Sequence, residues 1–109
     1  MIDDPEATLA LIEAMTAALP LPALATRAFV ATLRAARPGW EIAEPCTIQL
    51  VRYAEDAGGI VCQLDFGPQV PQRIFASVTH LHFDPRHQLT EAITAYKRHR
   101  LEALRTPGG

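Results

Sequence analysis

Apolar residues recur at helical spacing through the first third of the chain and switch to alternation after Trp40. Leu9, Ile12, Met15 and Leu19 fall three or four apart, behind an Asp4-Pro5-Glu6 start that supplies a cap, a first-turn proline and an acid. This predicts a first helix ending near Ala18, stopped by Pro20 and Pro22. A second helix is expected from Ala23 to Arg37. Ala25, Phe29, Leu33 and Ala36 share one of its faces, Arg27 and Arg34 lie opposite, and Pro38-Gly39 ends it.

Alternation then takes over. Cys46 to Tyr53 places Ile48 and Leu50 on one side, with Thr47, Gln49 and Val51 on the other. Ile60 to Phe66 points Ile60, Cys62, Leu64 and Phe66 one way and Gln63 and Asp65 the other. Glu55 to Gly59 between them carries the glycines of a hairpin loop. Arg73 to Phe83 reads as a third strand that is apolar on both parities, so its inward face is undetermined. Asp84-Pro85 opens a last helix running to about Arg105, with Leu89, Ile93, Tyr96, Ala103 and Leu104 in one stripe. Arg98, Glu102 and Arg105 lie on its other side.

The expected architecture is therefore α+β, a single domain over 1–109 in the order ααβββα. It is a two-layer sandwich of a three-stranded antiparallel meander and its helices, with 1–4 and 106–109 as frayed ends. One sheet face would be left open, carrying Thr47, Gln49, Val51, Tyr53, Val61 and Gln63.

Composition narrows the class. With 109 residues, 49% hydrophobic and 20% charged, the chain suits one globular domain and not a disordered tail. No apolar run approaches the roughly 18 residues of a membrane span. The acidic start MIDDPEATL does not read as a secretion signal, so a cytoplasmic protein is expected. Cys46 and Cys62 form no close-spaced ligand pair and read as small core hydrophobes. Net charge is −2 but uneven. Residues 1–72 hold nine acids against four arginines, a balance of −5, whereas 73–109 hold six Lys/Arg against three acids, a balance of +3. All four histidines lie in that last part.

Two segments are candidates for chemistry. His80, His82 and Asp84, two apart on a strand, would share a face and could offer two imidazoles and a carboxylate to a divalent ion. The string resembles part of the HxHxDH signature of metallo-β-lactamase-fold hydrolases. The resemblance covers only those three residues, and Pro85 stands where the signature has its third histidine. What remains is a plain mononuclear site from His80, His82 and Asp84 or His87. The competing reading makes Asp84 the cap of the last helix and the histidines polar strand-end residues.

The second segment is Lys97-Arg98-His99-Arg100, with Arg86 and Arg105 nearby. Consecutive helical residues point in different directions, so this run forms no flat patch. Arg100 falls inside the apolar stripe. Its stem must lie over the core with its head in water, or it must meet a buried carboxylate or a partner's acid.

An αβββα order also describes double-stranded-RNA-binding domains, which need a lysine-rich start to the final helix. Here that start is Asp84-Pro85-Arg86-His87, and the chain is net acidic. No glycine-rich phosphate loop or nucleophile elbow is present. Ser77 is the lone serine, and a Cys62 nucleophile with His80 has no support beyond coexistence. The reading that results is a non-enzymatic binding or assembly module, homodimeric or partnered by another protein, with no cofactor. It acts through the open sheet face and the cationic last helix, with Arg100, Arg86, Lys97 and Tyr53 as contact residues. Its alternatives are a nucleic-acid-binding domain and a small metal-binding protein.

Overall fold

A computed structural model describes residues 3–105. The expected frayed end at 106–109 and residues 1 and 2 lie outside the described residues, whereas Asp3 and Asp4 are placed. The elements are α1 (Pro5–Ala17), β1 (Leu21–Ala25), α2 (Arg27–Ala36), β2 (Pro45–Tyr53), β3 (Ile60–Asp65), β4 (Ile74–Ser77), β5 (Leu81–His82) and α3 (Thr90–Arg105). One turn of 3-10 helix at Val78–His80 joins β4 to β5. The fold is mixed α+β, but the expected ααβββα order and three-stranded meander are overturned. The sheet has five antiparallel strands in the order β4-β3-β2-β1-β5.

The first correction is β1. Residues Leu21–Ala25, read from the sequence as a proline linker and the start of a helix, form a strand between β2 and β5. Leu21, Ala23 and Ala25 point into the core, and Pro22 and Leu24 point out. Pro22 costs this strand little. Ala25 donates to Glu44 on the β2 side, so by alternation the even residues of β1 face β5. There β5 is too short to reach beyond Leu24, and the missing N–H has no ladder partner to lose. Thr26 then caps α2, its hydroxyl accepting from Phe29 N–H at 3.2 Å.

The second correction splits the third strand. Ser77 caps the 3-10 turn by accepting from the Thr79 amide, and its own hydroxyl donates to the Gly58 carbonyl at 2.8 Å. Ile74, Ala76, Val78 and Leu81 are the buried members of this stretch, so the inward parity shifts by one across the turn. That shift is why the run looked apolar on both sides.

The crossing turn also dictates the shape of the sheet. It carries the chain from one sheet edge to the other in the four steps from Ser77 to Leu81, a reach of about 14 Å at most. Four inter-strand spacings laid flat would span about 19 Å. The sheet therefore curls into a half-barrel.

A β-bulge in β2 sets the third correction. Ile48 pairs with Leu64 and Leu50 with Gln63, leaving Gln49 as the extra residue. Ile48 and Val51 consequently share the inner face, Leu50 turns outward, and Tyr53 points inward. Val51 and Tyr53 thus leave the expected open face.

Inner residues of all five strands join Leu11 and Met15 of α1, Val30 of α2, and Ile93 and Tyr96 of α3 in one core. The α1 face is Thr8, Leu11 and Met15, with Leu9 exposed. This helix is apolar nearly all round, so spacing alone did not fix its orientation. Finally, α3 begins at Thr90, after the expected Asp84-Pro85 start. Asp84 folds back on its own turn, accepting from the Arg86 amide at 2.9 Å, so it does not cap the helix.

Candidate functional site

The most closely built polar group lies between the start of the chain, the β2–β3 hairpin and α3. Arg100 stands on the inner face of α3, and its side chain is 3% exposed. Its Nη1 meets Asp3 Oδ2 at 3.0 Å, and Nη2 donates to the Asp56 carbonyl in the hairpin at 3.0 Å. Tyr53, at the end of β2, and Tyr96, one turn before Arg100, both donate to the same Asp3 oxygen at 2.9 Å. Tyr96 Oη in turn accepts from the Ile60 amide at 3.0 Å. Gly59 sits against this group with φ +68°, and a side chain there would collide with Tyr96 Oη and the Arg100 guanidinium.

Three donors therefore converge on one oxygen. Asp3 Oδ1 is buried and meets no donor among the described residues. Burial, together with the neighbouring Asp3 carboxylate, pushes the Tyr96 phenol up to about 12, and burial raises Tyr53 as well. Both hydroxyls stay protonated and act as donors at neutral pH. Of the two options left open for Arg100, the structure takes the buried carboxylate. That carboxylate is the chain's own Asp3, a residue sequence reasoning placed in a frayed end.

The second surface is the sheet face that carries no helix. Leu24, Leu50 and Phe75 stand on it at 47%, 38% and 44% exposure. The strand register arranges it in cross-strand rows: Arg52–Val61–Ser77, Leu50–Gln63–Phe75, Thr47–Asp65 and His82–Leu24–Pro45. Arg52 lies over the Phe75 ring at 5.7 Å, and Gln49 donates to Asp65 Oδ2 at 3.3 Å. At the β1–β5 end this face deepens into an open groove of about 770 Å³, floored by Pro22, Leu24 and Pro45 and rimmed by Asp65, His82 and Phe83. The bulge that sends Leu50 outward was not legible in the alternation. Phe75 was hidden in a run with no clear parity.

The other expected site residues are dispersed. His80 ends the 3-10 turn and stacks on Phe29, ring centroids 5.1 Å apart. His82 lies on β5, and Asp84 lies in a turn where its side chain also pairs with Arg86. The turn breaks the alternation that would have set His80, His82 and Asp84 on one face. Among the described residues no three His, Cys, Asp or Glu side chains form a group that could hold a metal ion. Lys97 donates to the Leu81 carbonyl at 2.6 Å, and desolvation lowers its pKa. Arg86 is exposed beside Asp84. Burial lifts the Cys46 thiol to about 11 and the Cys62 thiol to about 12, which opposes thiolate formation at either.

Among the described residues no helix is long and apolar enough to cross a membrane. A scan against protein-family models and searches of curated proteins and of solved structures find no match to this chain.

Proposed function

We propose that the protein is a binding and assembly module that pairs two copies through the uncovered face of its sheet. The observation that carries this reading is the exposure of Leu24, Leu50 and Phe75 on a sheet face that, among the described residues, no helix covers. Large apolar side chains gathered on one side of a monomer mark a surface that another surface is to cover.

A second copy is favoured over an unrelated partner by the way charge is laid out. Arg52 lies in a row on one side of the Leu50–Gln63–Phe75 row, and Asp65 lies on the other. A two-fold axis along that middle row turns each Arg52 onto the other copy's Thr47–Asp65 row, one strand from Asp65 and within side-chain reach of its carboxylate, while Leu50 and Phe75 each meet their own counterpart. Such self-complementarity is what an isologous dimer requires. The cationic last helix contributes less to this reading, because Arg100 and Lys97 are held internally.

Sedimentation of the unmodified protein should give a dimer at ~1–100 μM, the range expected of an interface of standard size or smaller. Leu50→Asp should shift it to monomer while leaving its far-UV circular dichroism unchanged. A monomer throughout that range would overturn the reading.

A further inference from the structure

Tyr53, Tyr96 and Arg100 share a property that does not depend on the sheet-face reading. Each is fixed by its own element, and two of them have an anchor besides Asp3. Arg100 is held by the Asp56 carbonyl, and Tyr96 by the Ile60 amide. Arg100 and Tyr96 would keep their positions if the carboxylate between them were removed, and Tyr53 is placed by its strand. Asp3, by contrast, lies with Asp4 ahead of α1, in no helix or strand. Asp4 follows it as the α1 cap, accepting from the Glu6 amide at 3.0 Å.

Asp3 also fits its seat unevenly. All three donors reach Oδ2, and Oδ1 has none. A carboxylate normally distributes its donors over both oxygens, and a buried acceptor left unpaired is unfavourable. A carboxylate whose carbon is not fixed to this backbone could shift within the seat and divide the same three donors between its two oxygens.

Of the seat's residues, Tyr96 also lines a groove of about 390 Å³ between α1 and α3, whose other walls include Asp4, Thr8, His99 and apolar residues such as Leu11 and Ala92.

We propose that Tyr53, Tyr96 and Arg100 form a carboxylate-binding site of which Asp3 is the resident and replaceable occupant. The ligand class is a carboxylate on a small molecule or on a flexible chain end. A buried guanidinium without a counter-charge is strongly unfavourable, so whenever Asp3 is absent the site must recruit another anion of that shape.

The test uses the full chain carrying Asp3→Ala, titrated with sodium acetate against sodium chloride at matched ionic strength and followed by thermal unfolding. Acetate should raise the midpoint in a saturable manner that chloride does not reproduce. The unmodified protein, whose site is filled, should show no such rise. Adding Tyr53→Phe to Asp3→Ala should weaken the apparent acetate affinity several-fold. Should Asp3→Ala fail to fold in chloride, refolding it in acetate becomes the readout, and recovery in acetate alone supports the site. Asp3→Ser, which removes the charge and leaves room for an anion in the seat, is the second variant and should respond to acetate in the same direction. If acetate and chloride act alike on both variants, or if the unmodified protein responds to acetate as strongly as they do, the proposal is overturned.

Discussion

At the scale of single residues, the two arginines of α3 that lie two positions apart have opposite fates. Arg98 is exposed, while Arg100 is buried against Asp3. Removing one member of a buried pair leaves the other uncompensated, at a cost of about 3–5 kcal/mol. Arg100→Ala should therefore lower stability by that order in urea denaturation, and Arg98→Ala should leave the midpoint nearly unchanged. Equal effects would mean that the Asp3–Arg100 contact contributes nothing. Gly59→Ala should act on the same group from the side. It places a methyl against Tyr96 Oη at a backbone angle that only glycine adopts freely, for a loss of roughly 1–3 kcal/mol.

The raised thiol and phenol pKa values make a separate residue-scale prediction. Cys46, Cys62 and Tyr96 hold their protons in the fold beyond the values of 9.0, 9.0 and 10.0 at which the free groups ionise. Below pH 9 both states are protonated, and stability is insensitive to these groups. Above it the unfolded chain releases protons that the folded one retains, so stability falls from pH 9 to about 12. Denaturation midpoints measured at pH 8, 9.5 and 10.5 should decrease in that order. Consistent with this, a thiol reagent at pH 8 should label neither cysteine until the protein is unfolded.

At the scale of elements, the bulge in β2 decides which apolar residues face the core. Ile48 is fully buried, whereas Leu50, two residues on, is 38% exposed. Ile48→Ala should cost about 2–5 kcal/mol, and Leu50→Ala well under half of that in the monomer. A regular strand would have made the two equivalent. This is where sequence reasoning reached its limit. Strand β3 was legible because Ile60, Cys62 and Leu64 share one parity while polar Gln63 and Asp65 take the other, and the glycines after Glu55 marked the hairpin. Strand β1 was missed because Leu-Pro-Ala-Leu-Ala has no β-branched residue and its pairing is wholly long-range. Two signals could still have found it: the Thr26 cap ahead of Phe29, and the alternation of Leu21, Ala23 and Ala25. Arg100 was legible as an anomaly in an apolar stripe. Its partner was not, since a contact across 97 positions leaves no local trace.

At the scale of the molecule, the charge gradient is partly internalised by folding. Asp3 from the acidic part and Arg100 from the basic part neutralise each other inside, and Lys97 is drawn onto a backbone carbonyl. A phosphate-binding surface on α3 would need those two cations outside. Salt-sensitive binding of RNA or DNA is accordingly not expected in a gel-shift titration at low ionic strength. Charge is better placed for self-recognition across the sheet face, and there its arrangement can be tested directly. In the two-fold geometry each Arg52 comes within reach of a partner's Asp65 on the neighbouring strand, so Arg52→Glu sets two acids near each other at both ends of the interface. Dimer affinity should fall at least several-fold, with the loss reduced at high salt. Adding Asp65→Arg to the same chain restores opposite charges at both ends and should recover much of that affinity. An interface that does not pair these rows would show no recovery, because Asp65→Arg would then remove the Gln49 and Gly67 contacts without supplying anything in return. Sedimentation of the two variants beside the unmodified protein separates the outcomes: recovery supports the two-fold pairing, and further loss in the double variant refutes it.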